Sequence, residues 1–126
     1  MIGYVFTMVR KKHPHILFVI SAGNDGFDID FNPVFPASLD LENMVVVTSS
    51  DQFGRLPPQS NYGRGSVDLM VPAEKVDVFD HRGVFTTAGG SSYAAPRVAA
   101  LAARYLKKKY SSKYRRYNQF FKIPGN

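Results

Sequence analysis

Hydrophobic residues near the N-terminus recur with helical spacing. Ile2, Val5, Phe6 and Val9 fall at positions i, i+3, i+4 and i+7, which places them on one face of a helix. Basic residues and then Pro14 follow, and they end the helical pattern. The pattern therefore predicts an amphipathic helix at the start of the chain.

Apolar runs further along the chain predict strands. Residues 16–20 and 44–48 are almost continuously apolar, as expected for strands buried on both faces of a parallel sheet. Residues 67–71 predict a third strand, which Pro72 stops. Two further short apolar segments flank the tetrapeptide Asp-His-Arg-Gly at 80–83, a pattern typical of a hairpin.

The last predicted element is a helix from Ser92 to about residue 110. Its first half is apolar nearly all round, so we expect it to be buried. Pro96 is tolerated because it lies near the helix start. A helix, three strands, a hairpin and a helix in this order predict an α/β fold with a mixed sheet. The first helix follows no strand, which suggests that an N-terminal part of the pattern is missing.

Positive charge is concentrated at the C-terminal end. The formal net charge is +6, yet residues 101–126 carry eight basic residues and no acidic ones, so residues 1–100 carry −2. We predict a folded unit at residues 1–110 and a basic, flexible tail at 111–126. Basic residues interleaved with tyrosines suit nucleic acid or an anionic membrane, and they also suit a solvated terminus. We expect no nucleic-acid partner.

Composition excludes several other classes of site. The chain contains no cysteine, so disulfides, cysteine-based metal sites and a thiol nucleophile are excluded. No apolar run approaches the roughly 18 residues of a membrane-spanning helix. The basic residues at 10–12 follow the first apolar stretch instead of preceding it, so no signal peptide is predicted. The localisation stays unknown.

Two polar segments lie where predicted buried elements end or begin. Ser21, Ala22, Gly23 and Asn24 follow the first strand. An Asn side chain at a strand end can direct an N–H group into a cleft, where it stabilises developing negative charge. Taken alone, this segment fits an ordinary Asn-Asp-Gly turn better.

The second polar segment, residues 89–92, has the sequence Gly-Gly-Ser-Ser and opens the apolar helix. A serine in a first helical turn exposes its hydroxyl, and its backbone N–H is a free donor for an incoming anion. Glycines allow a substrate backbone to approach closely. Taken alone, a serine N-cap after a glycine turn explains this segment better.

Together, the two segments resemble the subtilase family of serine proteases. Residues 90–99, Gly-Ser-Ser-Tyr-Ala-Ala-Pro-Arg-Val-Ala, are similar to the family's nucleophile motif Gly-Thr-Ser-x-Ala-x-Pro. Residues 22–26, Ala-Gly-Asn-Asp-Gly, are similar to its oxyanion-hole segment. Segments at 35–37, 45–47, 60–63 and 67–72 follow in the family's order and at about its spacing. The resemblance covers roughly residues 1–108.

The resemblance implies a three-layer subtilisin-like α/β fold with a parallel sheet, of which this chain is the C-terminal half. It implies serine endopeptidase activity on a peptide or protein substrate, with Ser92 as the nucleophile. The Ser92 backbone N–H and the Asn24 side chain then form the oxyanion hole. Ser21, Ala22 and Gly23 form a wall of the pocket for the substrate residue before the scissile bond.

The family's catalytic triad runs Asp, His, Ser along the chain, so its Asp and His would precede this chain. His13 and His15 come before the first strand, which places them about 20 Å from Asn24. His81 lies at the hairpin tip. We expect none of the three within hydrogen-bonding reach of Ser92, and we expect this chain alone to be inactive.

The expected partner is the missing N-terminal half of the catalytic domain. An alternative function is an inactive fragment or pseudoprotease that binds a peptide or a partner chain. The resemblance implies no cofactor here, because the family's calcium sites lie largely in the missing half. Asp28 and Asp30 are either cation ligands or part of a solvated acidic loop. Members of the family are often secreted.

Overall fold

The computed structural model describes residues 1–121, with the helical backbone alone for residues 110–121. Its elements are α1 (Ile2–Lys12), β1 (Phe18–Ser21), β2 (Met44–Ser50), β3 (Leu69–Pro72), β4 (Val76–Phe79), β5 (Phe85–Ala88) and α2 (Ser91–Phe121). Each predicted helix and strand is present, with bounds shifted by a few residues except at the end of α2.

The first three strands form a parallel sheet in the order β1-β2-β3. Phe18 pairs with Met44 where β1 meets β2, and Val47 pairs with Leu69 where β2 meets β3. The predicted parallel sheet is therefore confirmed. The last five residues of the central strand β2 are all buried, because β2 has a strand on either side and packing on both faces.

The β4–β5 hairpin forms a separate antiparallel pair, so the prediction of one mixed sheet is wrong. Pro72 has no N–H group to donate, and it closes the parallel ladder at the end of β3. The hairpin then pairs within itself. Its turn is held by the Asp80 carboxylate, which accepts hydrogen bonds from the Arg82 and Val84 N–H groups.

Apolar side chains pack on both faces of the sheet and create three layers. The cluster on the α2 face consists of Val47, Ala73, Ala94 and Val98, and the cluster on the opposite face consists of Ala22, Ile29, Ala37 and Val46. The α1 helix joins the second face through Phe6, whose ring centroid lies 5.2 Å from that of Phe18. None of the described helices is long and apolar enough to cross a membrane.

The α2 helix differs from its prediction in two respects. Ala99, Ala100 and Leu101 are exposed, Leu101 by 64%, because the sheet covers only the face that carries Ala94 and Val98. The helix also continues to Phe121 instead of ending near residue 110, since no glycine or proline occurs between Arg97 and Pro124.

The boundary predicted between the folded unit (1–110) and the tail (111–126) falls inside α2. The helix is described through residue 121, and residues 122–126 lie outside the described part of the chain. The flexibility of the tail stays a prediction.

The Asp30 carboxylate connects two loops and gives a prediction for acid unfolding. It accepts a hydrogen bond from the Gly65 N–H, and this bond, with the Ser66 hydroxyl, lowers the Asp30 pKa. A lowered folded-state pKa stabilises the fold above the pKa of the unfolded chain, and the contribution is lost as pH falls through the folded-state value. We expect Asp30→Asn to reduce the loss of unfolding free energy as pH falls into the acid range, measured by urea unfolding at several pH values.

The matched control is Asp40→Asn, which removes an exposed loop carboxylate. In this control, the unfolding free energy should fall at acidic pH with the same slope as in the parent chain. Equal slopes for the parent chain and Asp30→Asn would contradict the role assigned to Asp30.

Candidate active site

The two polar segments identified in the sequence meet at the carboxyl end of β1. Asn24 Oδ1 accepts a hydrogen bond from the Ser91 backbone N–H at 2.8 Å, across 67 residues of sequence. The Ser91 hydroxyl lies 3.0 Å from the same oxygen. Asn24 therefore contacts Ser91 at the start of α2, and Ser92 is the next residue of that helix.

Gly90 makes this contact sterically feasible. Its φ angle is +117°, a conformation that residues with a side chain rarely adopt. A Cβ atom at this position would lie only 2.9 Å from Asn24 Oδ1. The glycine is thus required both by the turn into α2 and by the close approach of Asn24.

The hydrogen bond from Ser91 also fixes the orientation of the Asn24 carboxamide. A backbone N–H can only donate, so the atom that it contacts must be the oxygen of Asn24. The Nδ2 group then carries the donors, and no residue in the described part of the chain accepts a hydrogen bond from it. Because Asn24 is exposed, Nδ2 is available to an external acceptor.

The two adjacent serines occupy opposite environments. Ser91 is fully buried, with its Oγ 2.6 Å from Ser21 Oγ and 3.1 Å from the Gly23 carbonyl oxygen. Ser92 is exposed, and it lies within the first turn of α2. The Ser91 hydroxyl is therefore hydrogen-bonded within the fold, whereas Ser92 is exposed to solvent.

The three residues predicted to form a wall of the substrate pocket lie at the same edge. Ser21 and Gly23 are half-buried, and Gly23 has a φ angle of +100°. Ala22 is fully buried and belongs to the core cluster with Ile29 and Val46. Its N–H donates to the Val47 carbonyl oxygen and its carbonyl oxygen accepts a hydrogen bond from Asn61 Nδ2, so both backbone polar groups of Ala22 are paired within the chain. The role of these three residues in substrate binding stays a prediction.

The three histidines lie away from this edge. His13 and His15 precede β1, so they lie beyond its amino end, while Asn24 follows its carboxyl end. His81 lies in the turn between β4 and β5, and that turn is at the Phe79–Phe85 end of the hairpin. The opposite end, where Val76 pairs with Ala88, leads into α2.

Two carboxylates of the acidic loop bond to backbone N–H groups, and their predicted choice between cation ligands and a solvated loop stays a prediction. Asp28 accepts a hydrogen bond from the Asp30 N–H, and Asp30 accepts one from the Gly65 N–H. Among the described residues, no three His, Cys, Asp or Glu side chains are grouped so that they could hold a metal ion. Both carboxylates hold the loop backbone.

One buried polar residue at this edge was not predicted as part of the site. Asn61 is fully buried, and its side chain bonds to the loop that carries Asn24. In the sequence it lies within a polar stretch rich in Gly, Pro, Ser and Asn, which is typical of an exposed loop. The only available signal was its place in the segment at 60–63 that resembles the family.

The fold is that of the subtilisin-like class of α/β domains. A model of the subtilase family, Peptidase S8, matches residues 2–119. The chain therefore belongs to the subtilase family.

Curated relatives agree with this assignment. The chain is 35% identical over 85 residues to a thermophilic serine proteinase of Bacillus sp. (strain AK1), covering 68% of this chain and 20% of the relative. It is 37% identical over 90 residues to subtilisin-like protease 1 of Pseudogymnoascus destructans, covering 70% and 21%. It is 28% identical over 87 residues to subtilisin-like protease 2 of Plasmodium falciparum, covering 69% and 6%. The chain thus spans about a fifth or less of these relatives.

Solved structures share the fold. A cold-adapted subtilisin-like serine proteinase is 28% identical with a TM-score of 0.66, over 81% of this chain and 37% of that one. The protease domain of PatA, in an S218A mutant, has a TM-score of 0.71 at 23% identity, over 88% and 38%. The described fold therefore corresponds to part of a subtilisin-like domain.

The two serines should respond differently to removal of their hydroxyls. Ser91→Ala leaves a cavity at a fully buried position and removes the hydrogen bonds to the half-buried Ser21 and Gly23, so the free energy of unfolding should fall by about 1–3 kcal/mol. Ser92→Ala removes an exposed hydroxyl and should change it by no more than about 0.5 kcal/mol. Urea unfolding of both variants checks this, and similar losses would contradict the division of roles.

Proposed function

We propose that this chain supplies the nucleophile and the oxyanion hole of a subtilase serine endopeptidase. One observation carries the proposal: Ser91 bonds to Asn24 Oδ1, which leaves the Nδ2 donors of the exposed Asn24 without a partner in the described residues, and the exposed Ser92 is the next residue of α2. This arrangement suits attack on a carbonyl group whose oxygen becomes negatively charged.

In the proposed reaction, Ser92 Oγ attacks the carbonyl carbon of the scissile peptide. The carbonyl oxygen becomes an oxyanion, which accepts hydrogen bonds from Asn24 Nδ2 and from the Ser92 N–H. That N–H is one of the first four of α2, which have no partner within the helix. In subtilisin, loss of the corresponding Asn donor lowers kcat by about 10²–10³. The amine leaves, and water then hydrolyses the acyl-enzyme.

The proton balance of this reaction requires a base. The Ser92 hydroxyl must lose a proton during attack, and the leaving amine must gain one. The three histidines lie at the other end of β1 and at the far end of the hairpin. We propose that an Asp–His pair from outside the described residues supplies this function, so that the chain by itself does not hydrolyse peptides. In subtilisin, loss of the triad lowers kcat by about 10⁶.

The exposed side of α2 is the proposed contact with the part that carries the Asp–His pair. Ala99, Ala100 and Leu101 lie on a helix side that the sheet does not cover. Within the described residues, β1 pairs with β2 alone, so its second edge is open for a further strand. The remainder of a subtilase catalytic domain would cover the exposed side of α2 and pair with the open edge of β1. The matched solved domains contain enough chain for this, because they extend well beyond the aligned part.

An active-site-directed fluorophosphonate tests the proposed nucleophile. We expect no labelling of the chain alone, and labelling of Ser92 when a subtilase N-terminal half that carries Asp and His is supplied. Ser92→Ala should stay unlabelled in the same mixture. Rapid labelling of the chain alone would show that it contains a base, and labelled Ser92→Ala would exclude Ser92 as the nucleophile. Binding of the half without labelling would favour the alternative, a pseudoprotease that only binds.

The proposed contact is tested by Leu101→Glu. A carboxylate on the exposed side of α2 should reduce labelling in the mixture at least about tenfold, because charge burial opposes docking. Val84→Glu is the matched control, since Val84 is also an exposed aliphatic residue, at 52%, and lies at the hairpin turn. Both changes should leave the chain's own unfolding within about 0.5 kcal/mol. Equal labelling of the two variants would contradict docking at this side of α2.

A further inference from the structure

We infer that Asn61 is a positioning residue for the oxyanion hole. It holds residues 22–27, here called the oxyanion loop, in the conformation that presents the Asn24 side chain beside Ser92. The inference rests on the proposed role of Asn24 and extends it to a residue outside both sequence motifs.

The Asn61 carboxamide bonds to both ends of the oxyanion loop. Its Oδ1 accepts hydrogen bonds from the Asp25 N–H and the Phe27 N–H, each at 2.9 Å. Its Nδ2 donates to the Ala22 carbonyl oxygen, also at 2.9 Å. Asn61 itself is fully buried. One side chain therefore replaces the regular backbone pairing that the loop lacks.

The Asn61 backbone connects the same loop to the central strand. Its N–H donates to the Gly23 carbonyl oxygen at 3.0 Å. Its carbonyl oxygen accepts a hydrogen bond from Thr48 Oγ1 at 2.6 Å, and Thr48 is a buried residue of β2. These two bonds fix the position of the oxyanion loop relative to the central strand of the sheet.

The pattern of bonds requires an asparagine. Asp has the two acceptors but, when ionised, no donor for the Ala22 carbonyl. Gln has the same groups on a longer stem, and the space is already full, since a Cβ at Gly23 would lie 2.5 Å from Asn61 Nδ2. Ala leaves buried N–H and C=O groups without partners.

The effect reaches Asn24 through its two neighbours. Gly23 and Asp25 are both bonded to Asn61, so the Asn24 backbone is fixed on either side. The Asn24 side chain is then anchored by Ser91. A displacement of about 1 Å at a catalytic group can cost about 10²-fold in rate. The loss should appear in the chemical step, because the oxyanion exists only in the transition state and the intermediate.

Amide hydrogen exchange on the 126-residue chain tests the contact directly. In Asn61→Ala, the Asp25 and Phe27 amides should exchange at least about tenfold faster, while β2 amides keep their protection. Asn61→Asp keeps an acceptor oxygen but places its second oxygen against the Ala22 carbonyl in a fully buried position, so it should also speed the exchange of these amides. The matched control is Ser60→Ala. It removes an equally buried group whose Oγ lies 2.5 Å from Ser49 Oγ and leaves the oxyanion loop untouched.

Fluorophosphonate labelling of Ser92 in the mixture with the N-terminal half tests the consequence for chemistry. Asn61→Ala should lower the labelling rate constant about 10–100-fold with unchanged half-saturating probe concentration, and Ser60→Ala should stay within about threefold. In an Asn24→Ala background, Asn61→Ala should have little further effect, because both changes remove the same donor. A merely structural role for Asn61 would give fully additive losses.

Two results would overturn the inference: Asp25 and Phe27 amides that exchange like a free peptide in the parent chain, or full additivity with Asn24→Ala. If Ser92 fails to label in every mixture, the proposed function fails. The exchange of Asp25 and Phe27 still decides whether Asn61 holds the oxyanion loop.

Discussion

The hydrogen bond between the Ser91 backbone N–H and Asn24 Oδ1 is the contact on which this edge of the molecule depends. It joins the carboxyl end of β1 to the first residue of α2. The first N–H groups of a helix need partners from elsewhere, and here the partner is the side chain proposed for catalysis. The same bond therefore satisfies a requirement of the fold and orients the Asn24 donors. Under the proposed function, the geometry of the oxyanion hole is a consequence of capping the helix.

Small buried polar side chains surround this contact. Ser91, Asn61, Thr48, Ser49 and Ser60 are all almost fully buried, and each makes at least one hydrogen bond to another segment. Such networks stabilise a structure when every group is paired and are costly when one is not. An apolar core would tolerate small displacements between segments, whereas paired donors and acceptors set their separation closely. The hydrogen bonds at this edge therefore hold its segments at fixed separations, as the proposed oxyanion hole requires.

Much of the fold could be predicted from the sequence because local patterns determine it. The apolar run of β2, the Asp80 turn and the glycine before Ser91 each carry a physical signal within a few residues. Pairing between segments has no such signal. The hairpin's separation from the sheet and the burial of Asn61 depend on contacts distant in sequence. The apolar first half of α2 predicts a helix buried on all sides, yet Leu101 is exposed because the described residues cover one side only.

Under the proposed function, the catalytic apparatus has two parts with different requirements. The contacts that orient Asn24, from Ser91 on one side and Asn61 on the other, all lie within the described residues. The oxyanion hole is therefore set by the folding of this chain and needs no base for its geometry. Transfer of the Ser92 proton, in contrast, needs a base at this edge, and none of the three histidines lies there. Under the proposed function, association at the exposed side of α2 adds the base to a site whose electrostatic stabilisation is already in place. Docking then changes the rate of the chemical step by supplying proton transfer, without rearrangement of the oxyanion loop.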